Sequence, residues 1–232
     1  MEHIIDLLVV AAHPDDAEIG LGGTLALMAA AGKKTAIVDL TDGEPTPFGS
    51  IEIRSKESVA AGQILGIHKR INLGLKNREL IDSIEARKQL SGVLRELRPH
   101  TVCVPYAEDN HPDHVAAHNL AVAACFYSKF VKSDLSATPW TPKRILNYFG
   151  FHLRSRVAPS FIVAIDDLYN IKMNAIRAYH SQFLAHQGNQ QVLADIEADA
   201  RYWGSRINVM YGEPVLSRDH LRVGTAETLL SI

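Results

Sequence analysis

Leu7-Leu8-Val9-Val10-Ala11-Ala12-His13-Pro14-Asp15-Asp16-Ala17-Glu18 is the stretch on which fold and chemistry both turn. Its first half is an apolar run of strand length. Its second half breaks at Pro14 and gives way to a glycine-rich helical pattern over residues 21–31. An apolar run without polar alternation reads as a strand buried on both faces of a parallel sheet, and the helix behind it makes a βα unit. Ligands of such sheets bind beyond the carboxyl ends of the strands. His13, Asp15 and Asp16 therefore fall where a site belongs.

The alternation continues outward. An apolar run at 35–40 precedes a helical pattern over 51–65, and a short strand at 70–73 precedes a helix over 84–97 that stops before Pro99. A strand at 101–105 then precedes a helix opened by Pro112, a first-turn position where proline loses no needed N–H. Two strand-like runs at 144–151 and 160–165 can extend the sheet. Helical stretches at 167–185 and 191–202, an apolar run at 207–211 and a polar tail complete the pattern. The expected class is α/β, a mainly parallel sheet flanked by helices. Without a low-complexity linker, one domain over 1–232 is expected, its C-terminal third, about 140–232, capping the site.

The 232 residues can bury about 70–75% of their unfolded surface, so neither metal nor disulfide is needed for folding. A net charge of −2, from 24 basic and 26 acidic residues, gives no broad positive field for a phosphate backbone, which argues against nucleic acid. The two cysteines, Cys103 and Cys125, lie in apolar or helical surroundings and read as reduced, buried thiols. No run approaches the ~18–20 apolar residues that span a bilayer. The expectation is a cytoplasmic protein without a membrane partner.

The chemistry rests on a second cluster at an equivalent place. Thr101-Val102-Cys103-Val104-Pro105 ends in Glu108-Asp109-Asn110-His111-Pro112-Asp113-His114, so two strand ends each deliver His and Asp. His13 and Asp16 are three apart, as are His111 and His114, spacings that let a tight turn and a helical turn aim at one cation. Three protein ligands plus a water make the usual catalytic zinc site. His13, Asp16 and His114 supply that set, and Fe2+, Co2+ or Mn2+ suit the same donors. Asp15, adjacent but not needed as a ligand, reads as general base, and His111 as proton donor or oxyanion partner. Asp109 and Asp113 are both local candidates for orienting a ligating imidazole. Arg54 can clamp a substrate carboxylate or sugar hydroxyl.

Blander readings compete. Asp15 or Asp16 can simply cap the following helix. His118 lies four residues after His114, but the paired clusters already complete a ligand set. His152, His180 and His186 fall in the expected cap without a specific pattern. Gly20, Gly22 and Gly23 lack the order of a dinucleotide fingerprint and fit close helix-sheet packing better. Thr41-Asp42-Gly43-Glu44 is either a plain turn or a pocket wall.

The stretch 12–18 together with His111-Pro112-Asp113-His114 resembles the LmbE-like, or PIG-L, zinc-dependent N-deacetylases, whose pattern is Ala-His-Pro-Asp-Asp-x-Glu plus a downstream His-Pro-Asp-His or His-x-x-His. The likeness extends to Asp39-Leu40-Thr41-Asp42-Gly43, Arg54 and Tyr179-His180-Ser181-Gln182-Phe183. It implies a Rossmann-like fold whose metal centre hydrolyses the N-acetyl group of a glucosamine-type sugar. Residue by residue, it makes His13, Asp16 and His114 zinc ligands, Asp15 the base, His111 the acid or oxyanion partner and Arg54 a substrate contact. Length and the Ser-Gln-Phe region resemble most the branch with the bacillithiol-pathway deacetylase, which implies N-acetylglucosaminyl malate as substrate and a homo-oligomer, often a hexamer. Chito-oligosaccharides or another acetylated amino-sugar conjugate are the alternatives within that chemistry. A non-catalytic sugar- or metal-binding module is the alternative outside it. The carbonyl-polarising tyrosine of some members has no counterpart between Tyr179 and Tyr202.

Overall fold

The computed structural model describes residues 2–153, 155–221 and 224. The opening apolar run forms β1 (Ile5–Ala11), every residue of which is buried except Asp6, and the chain turns within four residues into α1 (Asp16–Ala30). Three further βα steps and a fifth strand follow the sequence pattern: β2 (Thr35–Thr41), α2 (Ile51–Leu65), β3 (Lys69–Leu75), α3 (Ile84–Leu97), β4 (Pro99–Pro105), α4 (Pro112–Tyr127) and β5 (Arg144–Tyr148). Then come β6 (Phe161–Ala164), α5 (Tyr169–Arg177), α6 (His180–Phe183), α7 (Gln190–Ser205) and β7 (Gly212–Ser217).

Among the described residues the seven strands make one sheet in the order β3-β2-β1-β4-β5-β7-β6. β1 pairs in parallel with β2 (Leu7 opposite Thr35) and with β4 (Leu7 opposite Thr101), and β2–β3 and β4–β5 are parallel too. The chain winds from β1 to one side, then crosses back to place β4 on the other. The reversal opens a crevice at the ends of β1 and β4, where an α/β sheet accepts a ligand. Alternate residues of β1 face two apolar layers: Leu7, Val9 and Ala11 pack toward α1 and α5, and Leu8 and Val10 toward α3 and α4. This is a Rossmann-like α/β sheet flanked by helices.

Glycine lets α1 approach the sheet. A Cβ at Gly20 would run into the Tyr148 ring, and one at Gly23 would stand 2.7 Å from Ile165 side-chain carbons. The close-packing reading of these glycines holds.

Three expectations need correction. The strand-like run at 144–151 pairs only as far as Tyr148. The helix expected over 167–185 is a short 3-10 turn followed by α5 and α6, broken at Tyr179 (φ −80, ψ 63), whose hydroxyl donates to Glu18 Oε1 at 2.9 Å. A buried hydrogen bond to a carboxylate outweighs helix continuity there. The polar tail expected after 207–211 contains β7, which runs antiparallel between β5 and β6.

Candidate metal centre

Both His/Asp clusters reach the crevice. Between β1 and α1, Asp15 takes a left-handed conformation (φ 115) and its side chain makes no capping bond to α1, so the plain-cap reading fails for it. Its Oδ2 instead accepts from Arg54 Nη2 at 2.9 Å, while Arg54 Nε and Nη2 also donate to Pro14 O. Arg54 thereby fixes the turn and its carboxylate together. Asp16 turns inward, where its Oδ2 accepts from the His13 amide at 2.8 Å.

His13 Nδ1 lies 3.2 Å from Asp16 Oδ2, and His114 Nε2 lies 3.2 Å from Asp16 Oδ1. Ligand atoms of His13, Asp16 and His114 all fall within 4.8 Å of one another. Donors bound at ~2.0–2.1 Å in a tetrahedron stand about 3.3 Å apart, so the carboxylate already sits at ligand spacing from both imidazoles. The outer nitrogens face carboxylates as well: His13 Nε2 is 3.2 Å from Asp113 Oδ2, and His114 Nδ1 is 3.1 Å from Asp109 Oδ2. Asp113 and Asp109, the two candidates for orienting an imidazole, thus stand one behind each histidine. A donor set of two nitrogens and one oxygen, backed by carboxylates, fits a divalent cation.

His111 is held differently. It is the N-cap residue of α4; its Nδ1 accepts from the Asp113 amide at 3.2 Å, and its own amide donates to Asp109 Oδ1 at 2.8 Å. With Nδ1 engaged, Nε2 is the nitrogen left for chemistry. Its ring lies 4.8 Å, centroid to centroid, from those of His13 and His114.

The electrostatics separate these groups. Burial pushes the Asp15 carboxyl up, to about 7, against the pull of Arg54. Burial acts the same way on Asp16, but His114 and His13 hold its carboxyl well below the usual range. Burial disfavours protonated His13 and His114, yet their carboxylate partners raise them to about 9 and about 10 without a metal. His111 is lowered, by burial first and then by His114 and His13.

A cavity of about 320 Å³ opens on this centre. His13, Asp15, Asp16, Arg54, His111 and His114 line its floor, so all six expected site residues are brought together. Gly43 and Thr46 form part of the wall, which decides the reading of the loop after β2. The C-terminal third contributes Phe151, His152, Gln182, Phe183, Asn189 and Val192. Gln182 belongs to the quoted Ser-Gln-Phe motif, whereas Asn77, Arg78 and Asn189 carried no signal in the sequence. His118 stands outside the donor group and the cavity lining: its Nδ1 is 2.8 Å from Pro105 O and its Nε2 3.4 Å from Arg218 Nη1. His186 stacks on Phe48 away from the metal donors.

Comparison with known proteins identifies the family. The family model PIG-L, described as GlcNAc-PI de-N-acetylase, matches residues 8–125, the part that carries both clusters. The chain belongs to the PIG-L family. It is 32% identical over 190 residues to diacetylchitobiose deacetylase of Thermococcus kodakarensis, covering 76% of this chain and 70% of the relative. Among solved structures, a conserved protein from Thermus thermophilus superposes with a TM-score of 0.88 at 41% identity, covering 96% of this chain and 98% of that one. N,N'-diacetylchitobiose deacetylase from Pyrococcus horikoshii, complexed with an inhibitor, gives a TM-score of 0.81 at 29% identity, covering 91% and 83%. As a member of the PIG-L family, the chain is read as an N-deacetylase. No helix among its described residues is long and apolar enough to cross a membrane.

Proposed function

We propose that this PIG-L protein removes the acetyl group from an N-acetylglucosamine conjugate, with His13, Asp16 and His114 holding the metal. The observation that carries the reading is the placement of Asp16 at 3.2 Å from a nitrogen of each histidine. Zinc suits this donor set, and Fe2+ or another divalent ion also fits. A bound cation supplies Lewis acidity and lowers the pKa of a coordinated water.

The chain's own residues supply the proton chemistry. Asp15, steadied by Arg54, accepts the proton of the attacking water. His111, held through Nδ1, presents Nε2 to give a proton to the departing nitrogen. The acetyl carbon takes the water oxygen, the C–N bond breaks, and acetate and a free amine leave. The C-terminal third acts as a cap within one domain, since its Phe151, His152, Gln182, Phe183, Asn189 and Val192 form a wall of the cavity.

The proposed substrate is N-acetylglucosaminyl malate. Arg54 lines the cavity beside Asp15, where its cationic side chain suits a carboxylate-bearing aglycone. Acetylated chito-oligosaccharides are the second reading, favoured by the activities named for the Thermococcus and Pyrococcus proteins. Two buried thiols without a disulfide suit a cytoplasmic setting, and exposed Ile53, Val59 and Ile64 on α2 suit a homo-oligomer, up to a hexamer.

The test is amine release from N-acetylglucosaminyl malate and from N,N'-diacetylchitobiose by zinc-loaded and chelator-stripped protein. Zinc-dependent release from the malate conjugate supports the full reading. Release from chitobiose alone moves the substrate to the second reading, and binding of either sugar without release marks a binding module.

A further inference from the structure

Arg78 occupies a position where the backbone favours glycine. It lies in the loop between β3 and α3 with φ 65, in the left-handed region that side chains disfavour. Its amide donates to Asp113 Oδ2 at 2.7 Å, the same oxygen that stands 3.2 Å from His13 Nε2. That backbone bond ties the loop to the metal centre and accounts for the conformation. It does not account for the side chain, because glycine would make the same bond with less strain.

Arg78 is an exposed residue in the lining of the catalytic cavity, and its guanidinium reaches Pro45, another lining residue. It donates one bond, from Nη2 to Pro45 O at 2.7 Å, and makes no ion pair among the described residues. Both carboxylates that line the cavity are already engaged: Asp15 with Arg54, and Asp16 with His13 and His114. The guanidinium donors of Arg78 thus have no lining carboxylate left to pair with. A neutral sugar gives such donors only hydroxyls, whereas an anionic group pairs with the planar fork.

We infer that Arg78 is a specificity-determining residue that binds an anionic group on the substrate's aglycone at the cavity rim. The inference deepens the deacetylase reading and rests on it. It names a group that a free acetylated monosaccharide or a chito-oligosaccharide lacks.

The experiment compares wild-type, Arg78→Gly and Arg78→Lys proteins, all zinc-loaded. The substrates are N-acetylglucosaminyl malate, N-acetylglucosamine 1-phosphate and the neutral N,N'-diacetylchitobiose. Glycine suits the left-handed backbone and keeps the amide bonded to Asp113. The expected result is a fall of about 10- to 100-fold in the ratio of kcat/KM for anionic over neutral substrate, residing in KM, with partial recovery in Arg78→Lys. A fall for the malate conjugate alone, or for the phosphate alone, supports the inference and identifies the anion. Equal losses on anionic and neutral substrates, or no change in the ratio, overturn it. Calorimetric binding of the product glucosaminyl malate keeps the two readings apart. Weaker binding to Arg78→Gly upholds the role of Arg78 even if wild-type protein releases no acetate, a result that breaks the deacetylase reading alone.

Discussion

Helix α1 touches three buried groups of carboxylates; Glu18 with Asp39 is paired to Arg70, and the chain treats the other two in opposite ways. Midway along it, a kink at Leu21 accompanies free amides at Gly23 and Thr24, and Glu213 of β7 takes them up. Glu213 also accepts from Thr24 Oγ1 and from Lys172 Nζ at 2.7 Å, so both oxygens are bonded and the charge is matched. At the start of the same helix, Asp16 faces two imidazoles, and Asp109 and Asp113 stand behind them. Of the carboxylates at the crevice, Asp15 is the one paired with an arginine side chain among the described residues. Where burial serves the fold, the chain supplies its own cation. At the crevice it leaves three carboxylates facing histidines, an arrangement that a divalent ion completes.

Substitutions at the two groups should have separable effects on turnover, metal and stability. The largest effect is expected for Asp15→Asn: turnover falls about 10²–10⁴-fold while bound metal, measured by elemental analysis, stays at the wild-type level. Full activity would remove Asp15 from the proton chemistry.

Lys172→Met acts on the matched pair. Leaving Glu213 buried and unpaired costs about 3–5 kcal/mol in urea unfolding, yet the metal content of the protein that remains folded is unchanged. Loss of metal from folded Lys172→Met protein would mean that the two groups are coupled.

Stripping the metal sharpens the difference through pH. In the metal-free fold His13 and His114 titrate near 9 and 10, above the unfolded value of about 6.5. Raised folded values contribute stability that is full below about 6.5 and is lost as pH rises through 9 and 10. Melting of the chelated protein should therefore fall between pH 7 and 10, at roughly 2–4 °C per kcal/mol, more steeply than that of zinc-loaded protein, whose histidines are held neutral by the metal. Parallel profiles would contradict this. A smaller effect belongs to Asp113→Asn, which removes the carboxylate behind His13 and should weaken zinc affinity about 10- to 100-fold in a competition titration.

The same contrast decides what was legible in the sequence. His13, Asp15, Asp16, His111 and His114 sit in two contiguous motifs at the ends of apolar strands, so spacing alone brought them to one crevice. Arg54 reaches it from the next helix along. β7 was hidden because Glu213 and Pro214 break a strand pattern, and what stabilises Glu213 there, Lys172 and the kinked α1, lies far off in the chain. The break between α5 and α6 depends on Tyr179 meeting Glu18 across 161 positions. Arg78 gave no signal because a left-handed backbone and an amide bonded to Asp113 are properties of a folded loop.

The most direct test is an anomalous difference map at the zinc edge from crystals of the zinc-loaded protein. One strong peak is expected about 2.0–2.2 Å from a nitrogen of His13, a nitrogen of His114 and an oxygen of Asp16. A map with no peak among those three residues, or with its peak held by other side chains, would contradict it.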